Sequence, residues 1–198
     1  MITSLQDLDP NKIYSYADYL TWQIEDRIEL LKGYVRQIAG ANTVHQRVSM
    51  KLCSRFENYF EGKKCEVFSA PYDIRLFDRK KSILTDKEVF TVVQPDICVI
   101  CDAEKIDVRG CNGSPDLIIE ILLPSNKQTD LRDKYKLYEE NAVIEYWIVY
   151  PTEEVLHQYV LKDDKYYSHG VYTKTDSVHP FLFPDLEIPL SKIFIGTN

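Results

Sequence analysis

Long hydrophobic runs are missing from this chain of 198 residues. No apolar stretch approaches the roughly 20 residues needed to cross a bilayer, so no membrane association is expected. Glycine and proline are scarce, at 7 and 9 residues, which leaves little room for disordered linkers or collagen-like repeats. Positive charge is the minority sign: 24 Lys and Arg against 31 Asp and Glu give a net charge of −7. The surface field as a whole therefore repels nucleic acid, and a polyanionic partner has to meet a local basic patch. The stretch from Met1 to Lys12 lacks a basic segment followed by an apolar one, so no secretion signal is expected. The five cysteines, Cys53, Cys65, Cys98, Cys101 and Cys111, form no regular framework and sit mostly in apolar segments. That usage predicts reduced thiols and a cytoplasmic location.

What is present, 44% hydrophobic and 12% aromatic residues, suffices for a sizeable core, and the length fits one domain over residues 1–198. Ser15 is a candidate cap for a helix over Tyr16 to Gln23. Arg27 to Leu31 and Tyr34 to Ile38 read as strands around a tight Lys32-Gly33 turn. From Thr43 to Phe60, Val44, Val48, Leu52, Phe56 and Tyr59 recur every three or four residues, the pattern of a helix capped by Asn42 or Thr43 and ended by Gly62. Strand signals follow over Glu66–Phe77 and Thr91–Cys101, joined by a charged loop from Asp78 to Glu88. Asp116–Leu123 is apolar on both alternating faces, as in a central strand covered on each side. A helix over Thr129–Asn141, a strand over Glu145–Val149 and a hairpin of Val155–Leu161 with Tyr166–Tyr172 complete a mixed α/β pattern.

Two of these strands carry a carboxylate among apolar residues: Asp96 in Gln94-Pro95-Asp96-Ile97-Cys98, and Glu120 in Ile118-Ile119-Glu120-Ile121-Leu122. Unpaired charge there costs several kcal/mol, so such groups persist when paired, protonated or metal-bound. Two converging carboxylates form an oxygen site suited to Mg²⁺, which takes one or two of them and keeps waters. Asp130, Lys134 and Tyr138 share one face of the following helix at i, i+4 and i+8, from which the lysine can reach back to the acids.

The ordered set Val93-Gln94-Pro95-Asp96-Ile97, Asp116 to Leu122 with Pro124-Ser125, Asp130-x3-Lys134-x3-Tyr138 and Glu145 to Val149 resembles the restriction endonuclease-like family of uncharacterised bacterial proteins, within the PD-(D/E)XK nuclease superfamily. The resemblance covers about residues 15–190 and includes Glu29-Leu30 with Gly33, His45-Gln46 and Pro71-Tyr72-Asp73-Ile74. It implies an α/β (α+β) fold with a mixed central sheet flanked by helices, and metal-dependent hydrolysis of phosphodiester bonds in DNA. Asp96, Glu120 and the carbonyl of Ile121 would hold Mg²⁺, with Mn²⁺ as a substitute. In the superfamily motif the lysine stands two residues after the second acid, where this chain has Leu122; in the resembled family it comes from the next helix, where Lys134 matches. Gln94, Asp73, Asp130 and Tyr138 are accessory candidates, and Lys127, Arg132 and Lys136 supply local positive charge for a phosphate backbone. Leu123, Ala142 and Tyr150 depart from the family's usual Ser, Gly and Asp, and Ala142 bears on a positive-φ turn.

Plainer readings stand beside these. Asp96, Glu120 and Lys134 also fit a buried ion network in a nuclease-like binding or regulatory module without catalysis. His45 is either a packing residue or a group contacting phosphate or water. Glu29 is either an accessory acid or a salt-bridge partner of Arg27 or Lys32. Cys98-x2-Cys101 lacks the further ligands and the geometry of a zinc site. A homodimer would bring two sites to the two strands of a duplex.

Overall fold

The computed structural model describes residues 2–38, 40–77, 85–122 and 128–196. Ser15 caps α1 (Tyr16–Tyr19), accepting a bond from the Asp18 N–H while its own N–H donates to Asp18. The helix is shorter than the anticipated Tyr16–Gln23: past Leu20 the Thr21 and Trp22 N–H groups donate to carbonyls three residues back, and Gln23 N–H donates to Ile2 O. Strands β1 (Ile28–Leu31) and β2 (Tyr34–Gln37) form the expected hairpin. Lys32 and Gly33 both take positive φ, 54° and 86°, as a tight primed turn requires. Helix α2 (Thr43–Phe60) starts at Asn42, whose side chain accepts the His45 N–H at 2.9 Å. Val48, Leu52, Phe56 and Phe60 are buried along one face, each worth about 1.5–3 kcal/mol on burial.

The two long strands expected over Glu66–Phe77 and Thr91–Cys101 come apart. The first becomes β3 (Glu66–Ser69) and β4 (Ile74–Leu76), the second β5 (Thr91–Val93) and β6 (Ile97–Ile100). Each break contains a proline, Pro71 or Pro95, which has no N–H to give to a ladder. β3 pairs with β6 in one sheet and β4 with β5 in another, so the two segments cross together between sheets, tied there by Ala70 N–H to Asp96 O at 3.1 Å. Gln94, Pro95 and Asp96 thus lie where the ladder is interrupted.

Next come β7 (Ile106–Asp107), β8 (Gly110–Asn112), β9 (Leu117–Ile121), α3 (Gln128–Glu140), β10 (Glu145–Tyr150), β11 (Val155–Lys162) and β12 (Lys165–Thr173), then β13 (Ser177–Val178), β14 (Ile188–Pro189) and α4 (Leu190–Ile193). One sheet has the order β2-β1-β5-β4-β8-β7 and the other β12-β11-β10-β9-β6-β3. In the second sheet β9 and β10 are parallel, linked through α3, and the other pairs are antiparallel. Ile97, Val99, Leu117, Ile119 and Trp147 pack with α2 on one face, while Cys98, Ile118, Tyr146 and Ile148 pack with Leu137 and Tyr138 of α3 on the other. This is the mixed sheet flanked by helices, and covering both faces explains the continuous apolar run of β9.

The cysteines require a correction. Cys65 and Cys101 flank the Glu66–Ile100 register pair of β3 and β6 and are joined in a disulfide, while Cys53, Cys98 and Cys111 are free. Sequence spacing hid this because the pair is 36 residues apart and set by cross-strand register. The cytoplasmic expectation loses the support it drew from reduced thiols. No described helix is long and apolar enough to cross a membrane. Ala142, after α3, has φ 59°, so the positive-φ turn persists without glycine. Leu123, Lys127 and most of the charged loop from Asp78 lie outside the described residues, as does the side chain of Asp130.

Candidate active site

Five elements bring the central residues together. Asp96 stands at the break before β6, and both its oxygens are held: Oδ1 by His45 Nε2 at 3.0 Å and Oδ2 by the Ile121 N–H at 2.7 Å. His45 lies in the first turn of α2 and is buried. Its Nδ1 is a buried atom without a hydrogen-bond partner among the described residues. Glu120 on β9 points to the α3 side, where Oε1 accepts from Lys134 Nζ at 2.9 Å and from Tyr138 O–H at 2.6 Å. Oε2 accepts no hydrogen bond from a described residue. Leu122, two residues on, packs in the same apolar cluster as Ile118 and Tyr138, so an apolar group stands at that position.

Lys134 reaches the acids from α3, as the helical spacing suggested, and also meets Glu29 Oε1 of β1 at 3.0 Å. This corrects the expected pairing of Glu29 with Arg27 or Lys32. Lys32 instead pairs with Glu140 at 2.7 Å, and Arg27 donates to Gln94 Oε1 at 3.2 and 3.3 Å. Glu29 Oε1 also accepts the Gln94 N–H at 2.8 Å, while Gln94 Nε2 donates to Asp73 Oδ1 at 2.9 Å and Tyr16 O–H to Asp73 Oδ2 at 3.2 Å. Asp73 and Gln94 therefore belong to a polar network behind Glu29. Sequence did hold a sign of Glu29's position: like Glu120, it interrupts an apolar run, and all of β1 is buried. Its partner lies 105 residues away, beyond any local pattern.

The cluster holds more negative than positive charge. Burial foremost, with Asp96 and Glu29 adding to it against the opposing pull of Lys134, raises the Glu120 carboxyl to about 7. Burial disfavours the Lys134 ammonium, yet Glu120 and Glu29 outweigh it and hold its pKa above the ordinary lysine value. Among the described residues no group of three or more His, Cys, Asp and Glu side chains is arranged to hold a metal. A two-carboxylate set completed by water does fit: Asp96 keeps a second lone pair on each oxygen, Glu120 keeps Oε2, and the surplus negative charge favours a hard cation. Arg132 and Lys136 are exposed on α3, and Arg36 reaches Asp133 at 2.7 Å.

Comparison with known proteins bears on the family and the fold. An uncharacterised protein of Synechocystis, slr1290, is 26% identical over 153 residues, covering 76% of this chain and 75% of its own. A crystal structure from Anabaena variabilis, described as that of a putative nuclease, superposes with a TM-score of 0.72 over 93% of this chain and 99% of that one at 16% identity, and shows the shared fold. Residues 16–191 match the Uma2 family, described as "Putative restriction endonuclease", and the chain belongs to that family.

Proposed function

We propose that this protein is a metal-dependent endonuclease hydrolysing phosphodiester bonds of DNA. The observation that carries the reading is the meeting of Asp96, Glu120 and Lys134 from separate elements, with one Glu120 oxygen left open in a pocket of surplus negative charge. Asp96 and Glu120, with the Ile121 carbonyl, would hold Mg²⁺, Mn²⁺ substituting. When bound, the cation supplies positive charge that polarises a phosphoryl oxygen and makes a nearby water more acidic. The chain's own groups do the rest. His45 and the Ile121 N–H fix the Asp96 carboxylate. Lys134 orients the attacking water and offsets charge gathering on the phosphate. Arg132 and Lys136 attract the phosphate backbone, with Lys127 a further candidate, and the net charge of −7 makes that binding weak and salt-sensitive. Two copies associating as a homodimer would present two such sites to a duplex.

The test starts with calorimetric titration of Mn²⁺ into folded wild type and Asp96→Ala. Binding lost in the variant supports the site; no binding to the folded wild type favours the non-catalytic module, for which Lys134's ion pairs alone would account. In cleavage assays Asp96→Ala, Glu120→Ala and Lys134→Ala should each abolish activity while the fold survives, and full activity in any two would sink the assignment.

A further inference from the structure

Resting on that reading, we propose that Glu29 is a positioning residue that keeps Lys134 at the site by acting as its second counter-ion, so that Glu120 is free to take the cation. The geometry is a fork. Lys134 Nζ lies 3.0 Å from Glu29 Oε1 and 2.9 Å from Glu120 Oε1, and all three side chains are shielded from solvent. With Glu120 as its only partner, a buried ammonium would compete with a divalent cation for the same carboxylate, since two cations crowding one acid repel strongly at low dielectric. Glu29 removes that conflict. Its carboxylate has an anchor besides the lysine: the Gln94 N–H donates to the same Oε1 at 2.8 Å, and its strand belongs to the other sheet. Gln94, two residues before Asp96, links the two halves, because the same segment supplies a metal-site acid and the anchor of the lysine's counter-ion. Two further ion pairs, Arg36–Asp133 and Lys32–Glu140, both at 2.7 Å, tie the β1–β2 hairpin to α3 on either side of Lys134. The lysine's second partner is thus carried on a hairpin docked along its own helix.

The discriminating measurement is a double-mutant cycle on Mn²⁺ affinity, read by calorimetry, with Glu29→Gln and Lys134→Met alone and combined. Removing a nearby negative charge weakens cation binding by itself, and the Lys134→Met background measures that direct part. The proposal expects Glu29→Gln to weaken Mn²⁺ binding about tenfold or more when Lys134 is present and only about twofold to threefold when it is absent, a coupling typical of groups in one network. Equal losses in both backgrounds would overturn the role of Glu29 while leaving the metal site standing; no Mn²⁺ binding to folded wild type would overturn the metal reading itself, and this inference with it. Glu29→Gln is isosteric and keeps an acceptor for the Gln94 N–H. Should it unfold, Glu29→Asp in the same two backgrounds serves, with its loss expected to be smaller in the absence of Lys134. A merely structural Glu29 would leave the cycle additive. In cleavage, Glu29→Gln should lower kcat at saturating metal with little change in KM.

Discussion

Glu120 and Glu145 sit on neighbouring parallel strands, β9 and β10, and both are buried, but on opposite faces of the sheet. Glu145 is surrounded by neutral donors fixed by the fold. Its Oε1 accepts from Trp147 Nε1 at 2.6 Å, Gln158 Nε2 at 2.7 Å and the Phe181 N–H at 3.0 Å, and its Oε2 from the Leu182 N–H at 3.0 Å. Glu120 has one oxygen shared by a cation and a tyrosine, the other without a described donor, and two further carboxylates nearby. Fixed donors engage both oxygens of the first carboxyl, so it serves the fold by tying the Phe181–Leu182 turn to the sheet. The second is left in electrostatic conflict that a cation would relieve, the kind of perturbed group that marks a candidate functional site.

The largest effect that would break this contrast is at Glu145. Glu145→Ala takes the carboxylate acceptor from four donors, those of Trp147 and Gln158 inside the core, and should cost about 3–5 kcal/mol, read by urea denaturation. A loss below about 1 kcal/mol would mean that Glu145 is no more structural than Glu120.

Glu120→Gln should cost far less, under about 1 kcal/mol at neutral pH, because Lys134 keeps Glu29 and the surplus negative charge falls. Its signature is the pH profile. In metal-free protein the folded carboxyl holds its proton up to about pH 7, while the unfolded one releases it near 4.5. The folded state therefore binds more protons between those values, and wild-type stability from this group falls as pH rises through that window. Thermal melts of Glu120→Gln across the same window should be flatter, and a parallel fall in both proteins would assign the slope elsewhere. Added Mn²⁺ should reverse the trend in wild type, since a cation selects the charged carboxylate.

The same contrast explains what sequence could and could not reveal. Helix α2, the β1–β2 hairpin and the β9–α3–β10 unit follow from periodicity and local caps, and so were legible. Asp96, Glu120 and Lys134 stood out because charge interrupted apolar runs or fell on the right helix face. Glu145 raised no such signal: it opens its strand rather than interrupting it, and apart from Trp147 its donors come from Gln158 and the distant Phe181–Leu182 backbone. The split of the two long strands between sheets, the Cys65–Cys101 pair and the Glu29–Lys134 contact are products of register and tertiary packing. Even Pro71 and Pro95 mark only where a ladder fails, without saying that its halves join different sheets.

A smaller experiment sharpens the comparison one hydrogen bond at a time. Tyr138 O–H donates to Glu120 Oε1 at 2.6 Å and favours the charged carboxylate. In Tyr138→Phe that donor is gone, so the Glu120 titration should move to higher pH and Mn²⁺ affinity near neutrality should fall about twofold to fivefold, with stability little changed. Trp147→Phe removes one of four donors at Glu145 and should cost about 1–2 kcal/mol while leaving Mn²⁺ binding untouched. If Tyr138→Phe lowered stability more than metal affinity, Glu120 would have to be classed with Glu145, as an anion that holds the fold together.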